Sequence, residues 1–189
     1  MLIRNILEES VRKFDEVKAV KWLKKKEIME RSYGELMENV VFTRKGLLAE
    51  GFEGKHIALI GTSSVEWMES YLGIITGCTT AVPLDAALPC EDLIDLLNRS
   101  DSVALFLSPK LKPYLDAFLE NCPKLQKVWM LQEEVEDAPA KVYGIGELRN
   151  AGKSASADSV CPAAEDIATI IFTSGTTGKS KGVMLTQNN

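Results

Sequence analysis

The sequence is poor in most of the residues that build metal and redox sites. It holds one histidine, His56, in 189 residues. Its four cysteines, at 78, 90, 122 and 161, have no C-x-x-C spacing and lie away from that histidine. That excludes the usual zinc frameworks and leaves free thiols, which fit a reducing compartment. Basic residues number 22 against 27 acidic ones, for a net charge of −5. With no basic stripe interleaved with aromatics, nucleic acid is excluded as a main partner. No apolar run approaches the roughly 20 residues of a membrane span. The first residues, Met1 to Asn5, lack the apolar core of a signal peptide. These absences predict a cytoplasmic protein. No internal repeat and no low-complexity tract is found. No residue stands out as a metal ligand or an acid/base catalyst.

What is present is a soluble-domain composition, 46% hydrophobic and 26% charged. Asn5 to Phe14 reads as a short amphipathic helix with Asn5 as its cap. Ala19 to Leu23 and Ile28 to Ser32 read as a hairpin, turned by Lys24-Lys25-Lys26-Glu27. Ser32 and Glu35 form a capping box before a helix carrying Leu36, Val40, Leu47 and Leu48, with Gly51 just beyond its end. A β-α rhythm follows: strand 56–60, helix 65–76, strand 80–84, helix 91–100, strand 103–107, helix 111–121 with Pro113 in its first turn, strand 128–131. The short, continuously apolar strands are those of a buried parallel sheet. The expected fold is therefore α/β, a doubly wound parallel sheet flanked by helices, with a small N-terminal hairpin. The Gly61-Ser63-Ser64 junction between strand and helix is a weak candidate anion site, since no lysine or arginine is close in sequence. Residues 132–164 are acidic and then rich in Ala, Ser and Gly. They read as solvated connections around a short helix at Gly146 to Asn150. Residues 1–131 then form an α/β core, 132–164 a connecting segment, and 165–189 a further strand and turn. That last strand, at 168–172, is expected outside the core sheet or at its edge.

The strand leads into Thr173-Ser174-Gly175-Thr176-Thr177-Gly178-Lys179-Ser180-Lys181-Gly182. Glycines let the backbone approach a ligand, hydroxyls donate hydrogen bonds, and two lysines add positive charge. That combination suits a polyphosphate anion. The P-loop of nucleotide hydrolases needs four residues between its glycines before Gly-Lys-Ser. Here only two separate Gly175 from Gly178, so the loop is not of that type.

The stretch resembles the phosphate-loop signature of the adenylate-forming enzymes, [ST]-S-G-[ST]-T-G-x-P-K-G followed by [ST]-H-x-N. Thr173 to Gly178, Lys181 and Gly182 match, as do Thr186 and Asn189 in the tail. Ser180 stands in place of the proline and Gln187 in place of the histidine. Ser32-Tyr33-x-Glu35-Leu36 and Gly77 to Asp85, with its Val-Pro-Leu-Asp end, are also similar to family segments. Within that superfamily, the sequence most resembles bacterial long-chain fatty-acid CoA ligases.

The resemblance implies an ATP-dependent ligase that activates a carboxylic acid, a fatty acid here, as an acyl-adenylate and passes it to CoA. It assigns Thr173, Ser174, Gly175, Thr176, Thr177, Gly178, Lys179, Lys181 and Gly182 to the ATP phosphates, with Mg2+ and CoA as further cofactors of the whole enzyme. The family's adenine motif, ribose-binding aspartate and lid lysine are not found. The expectation is an incomplete N-terminal domain, partnered by the rest of the same enzyme and inactive by itself. The competing reading is a stand-alone α/β module that binds a nucleotide or a protein without catalysis.

Overall fold

The computed structural model describes residues 2–156, 161–173 and 180–189. Its elements, in chain order, begin with helix α1 (Ile3–Phe14), the hairpin strands β1 (Lys18–Lys24) and β2 (Glu27–Ser32), and helix α2 (Tyr33–Ala49). Then come β3 (His56–Ile60), α3 (Val65–Ile75), β4 (Thr80–Leu84), α4 (Cys90–Arg99), β5 (Ala104–Leu107), α5 (Leu115–Asn121) and β6 (Lys127–Met130). The chain ends with β7 (Val142–Gly144), α6 (Ile145–Ser154), β8 (Ile167–Thr173) and β9 (Lys181–Thr186).

Seven strands form one sheet in the order β7-β6-β5-β3-β4-β8-β9. All neighbours run parallel except β8 and β9. The alternation of side chains along each strand feeds two cores. Ala58 and Ile60 of β3 join Leu93, Leu96 and Leu97 of α4 and Leu115 and Phe118 of α5 on one face. Ile57 and Leu59 join Leu47 of α2, Ile74 and Ile75 of α3, and Ile145 and Leu148 of α6 on the other. Helices thus cover both faces, which is the doubly wound arrangement. The chain passes from β3 to β4 in one direction, then returns past β3 to β5. The order of strands reverses there, and ligands in such sheets sit at the carboxyl ends beside the reversal.

Side-chain caps explain the starts of α2 and α3. The α2 capping box is formed: Glu35 N donates to Ser32 Oγ at 3.2 Å, and Ser32 N donates to Glu35 Oε2 at 2.6 Å. That backbone bond holds the Glu35 carboxyl below the usual carboxylate range. Ser64 caps α3 by accepting from Trp67 N at 3.1 Å, so its hydroxyl already serves the helix. His56 Nδ1 lies 2.7 Å from Ser100 O, which ties the start of β3 to the C-cap of α4.

Several expectations are corrected. Leu2, not Asn5, is the α1 N-cap, and it makes no side-chain cap. Pro113 does not open an α-helix at 111. Residues Pro109–Tyr114 form a 3-10 turn, and α5 begins only at Leu115. Proline lacks the N–H that a continuous α-helix would need at that position. The stretch 132–164 is more than a connection. It adds the edge strand β7, and the short helix expected at Gly146 to Asn150 is the ten-residue α6. Finally, β8 lies inside the sheet between β4 and β9, neither outside it nor at its edge.

Candidate functional site

β8 and β9 are joined through the Gly/Thr/Lys segment. Thr173 pairs directly with Lys181, and Phe172 with Gly182, so these residues form the base of the loop. Ser174, Gly175, Thr176, Thr177, Gly178 and Lys179 lie outside the described residues. Because β8 runs parallel to β4, the loop emerges at the carboxyl edge of the parallel sheet. That is the edge where doubly wound sheets bind ligands.

Strand alternation places the Thr173 and Lys181 side chains on one face of the hairpin, with Phe172 and Gly182 on the other. Thr173 and Lys181 are both exposed. A hydroxyl donor and an ammonium group side by side suit the oxygens of a phosphate chain. At Gly182, an added Cβ would stand 3.0 Å from Ile170 Cγ2 and 3.5 Å from the Phe172 ring. The strands therefore pack closely behind the loop base.

Three anchors hold this hairpin. At β4, where the backbone pairing is limited to Ala81 with Thr169, side-chain hydroxyls take over. Thr169 Oγ1 donates to Ala81 O at 3.0 Å, and Thr80 Oγ1 donates to Ile167 O at 3.0 Å. At the loop exit, Arg99 from the end of α4 donates to Ser180 O at 2.6 Å and lies over the Phe172 ring at 5.6 Å. Asp95 holds the same guanidinium at 3.0 Å. Sequence reasoning missed Arg99, because its partner is 81 positions away and nothing local marks it.

The third anchor is Gln187, which stands at the position of the family histidine. It is 6% exposed. Its Nε2 donates to Ile75 O at 2.6 Å, and its backbone N donates to Asp166 O at 2.9 Å. Ile75 O belongs to the last turn of α3, where carbonyls have no partner within the helix. Thr186 and Asn189 close a tight turn around it: Thr186 N donates to Asn189 Oδ1 at 2.7 Å, and Asn188 N donates to Thr186 Oγ1 at 3.3 Å. The matched tail of the motif is thus a structural latch at the end of β9.

All four cysteines are free thiols. Burial pushes Cys78 and Cys122 up to about 11, so both stay protonated near neutral pH. Neither is suited to act as a nucleophile.

The family model for AMP-binding enzymes matches residues 7–189. The chain belongs to that family. A long-chain-fatty-acid–CoA ligase 5 from Rattus norvegicus is 30% identical over 84% of this chain. Long chain acyl-CoA synthetase 8 from Arabidopsis thaliana is 28% identical over the same share. The chain spans about a quarter of these relatives, 25% and 24% of their lengths. Among solved structures, the anthranilate CoA ligase AuaEII in complex with anthranoyl-AMP superposes with a TM-score of 0.83 at 19% identity. It is matched over 100% of this chain and 35% of its own. Coronafacic acid ligase from Pectobacterium brasiliense, in its R395G form, gives 0.84 at 21% identity, over 99% of this chain and 35% of its own. This AMP-binding enzyme chain therefore shares the fold of adenylate-forming ligases. No helix among its described residues is long and apolar enough to cross a membrane.

Proposed function

We propose that this AMP-binding enzyme chain carries the ATP-polyphosphate grip of an AMP-forming acid–thiol ligase whose acid is a fatty acid and whose acceptor is CoA. One observation carries the reading. A Thr-Ser-Gly-Thr-Thr-Gly-Lys-Ser-Lys-Gly segment is closed by an antiparallel hairpin at the carboxyl edge of a parallel sheet. The printed names of the long-chain acyl-CoA ligases support the fatty acid and the CoA. In this reading Thr173 and Lys181 hold phosphate oxygens together with Ser174 to Lys179 and Gly182. Mg2+ would arrive on the nucleotide, neutralising the charge that builds up at the phosphates. The four free thiols support a cytoplasmic setting.

The chain alone grips only phosphates. It is expected to bind inorganic tripolyphosphate weakly by titration calorimetry, and Lys181→Ala is expected to lower that affinity about tenfold. No pyrophosphate exchange is expected from the chain with ATP and a long-chain fatty acid. Turnover in that assay, or ATP affinity tighter than micromolar, would mean a more complete site than proposed. Unchanged tripolyphosphate binding by Lys181→Ala would remove Lys181 from the grip.

A further inference from the structure

The β1–β2 hairpin carries a feature that a phosphate grip does not use. Its two-residue turn is Lys25-Lys26, and both residues have positive φ, 48° and 74°. Turns with positive φ at both central positions strongly prefer Asn-Gly, because other side chains crowd the backbone there. Lysine stands at both positions despite that strain. Immediately beside the turn, Leu23 pairs across the hairpin with Ile28. Each is 71% exposed.

The opposite face of the hairpin is occupied. Trp22 lies under the Arg31 guanidinium at 5.4 Å, and Arg31 is ion-paired with Glu69 of α3. Alternation then turns Leu23 and Ile28 away from the domain. Farther from the tip, Lys21 and Glu30 neutralise each other at 2.5 Å. Glu27 stands directly across the hairpin from Lys24, so the unopposed positive charge at the tip is that of the turn residues Lys25 and Lys26, on a chain whose net charge is −5.

Lysines at an exposed strand end commonly serve to block edge pairing. That role asks for charge alone. It explains neither two bare aliphatic side chains beside the lysines nor lysine in place of Asn-Gly at a strained turn. A cationic tip flanked by apolar side chains is complementary to an anionic bilayer surface. Lysines meet the negative headgroups, and aliphatic groups enter the boundary beneath them. We propose that the β1–β2 tip is a reversible docking point for anionic membrane surfaces. The inference is independent of the ligase reading, since it involves no residue of the phosphate loop.

The test is co-sedimentation of the 189-residue chain with phosphatidylcholine vesicles containing about a quarter phosphatidylserine, beside pure phosphatidylcholine vesicles. Binding is expected to the anionic vesicles only, and to be lost at high salt. Replacing the turn by Lys25→Asn with Lys26→Gly is expected to raise the melting temperature while weakening vesicle binding about tenfold or more. A gain in stability with a loss of binding separates docking from misfolding. Leu23→Ser with Ile28→Ser is expected to weaken binding about tenfold with the fold retained by circular dichroism. Absence of wild-type binding, equal binding to neutral vesicles, or wild-type binding by either double variant would overturn the proposal.

Discussion

The side-chain amide of Gln187 takes the Ile75 carbonyl at the carboxyl end of α3, beside Thr79 Oγ1 and Gly77 N, which both donate to Ile74 O. Gln187 Nε2 reaches Ile75 O at 2.6 Å from 112 positions along the chain. Histidine presents its Nε2 donor at a similar reach, which explains how glutamine stands at the histidine position of the motif. Gln187→His is therefore expected to change stability by less than about 1 kcal/mol in urea unfolding. Gln187→Leu leaves a buried carbonyl unpaired and is expected to cost about 1–3 kcal/mol. Equal losses in the two variants would show that the amide fills space without bonding. At this scale, the sequence was readable where partners are neighbours. Ser32 and Glu35 are three positions apart, and their reciprocal cap is visible in the string itself. The partners of Arg99 and Gln187 are created only by the folded sheet, so no local pattern announces them.

Among the elements, α6 was foreseen only as a short helix at Gly146 to Asn150, half its actual length. Its segment is rich in Gly, Ala and Ser, which reads as loop material. In the fold those small residues form the contact with α2. A Cβ added at Gly152 would lie 1.9 Å from Phe42 O and 2.7 Å from Gly46 N, so the two helix backbones touch at a pair of glycines. Gly152→Ala would raise the intrinsic helix propensity of α6, yet it is expected to destabilise the protein by about 1–3 kcal/mol through overpacking. Thermal unfolding measures the sign directly. A stabilised variant would mean that α6 packs loosely against α2. The strands were easier to read. Each of β3, β4, β5 and β6 is a short apolar run bounded by turn residues, and burial on both faces leaves little else for such a run to be. The insertion of β8 beside β4 was not readable, because strand order is set by which faces and edges remain uncovered, and that is not encoded in any one segment.

For the whole molecule, the part of the chain expected to be a connection is tied to the core by buried charge. Glu69 on α3 is fully buried. It receives Arg149 of α6 at 2.8 Å, Asn39 of α2 at 3.2 Å, and Arg31 of β2. Arg149 also bonds Glu133 at 3.1 Å. Three separate parts of the chain donate to this one carboxylate. Glu69→Ala leaves the buried Arg149 with only the exposed Glu133 as an anion and is expected to cost about 3–5 kcal/mol. Glu133, whose side chain is 66% exposed, is expected to cost less than about 1 kcal/mol when replaced by alanine. Urea titrations of the two variants give the comparison, and similar losses would show that the cluster is not centred on Glu69.

The position of β8 also sets an order of events during synthesis. Ala81 and Thr169, which pair β4 to β8, are 88 positions apart. When β4 emerges from the ribosome, its partner on that side does not yet exist. At bacterial to eukaryotic elongation rates the delay is on the order of ten seconds. Throughout that interval the nascent domain presents an apolar strand with unsatisfied amides, the kind of edge that recruits other chains. The β8–β9 hairpin at the base of the Gly/Thr/Lys segment is therefore also the cap that ends a period of vulnerability to aggregation.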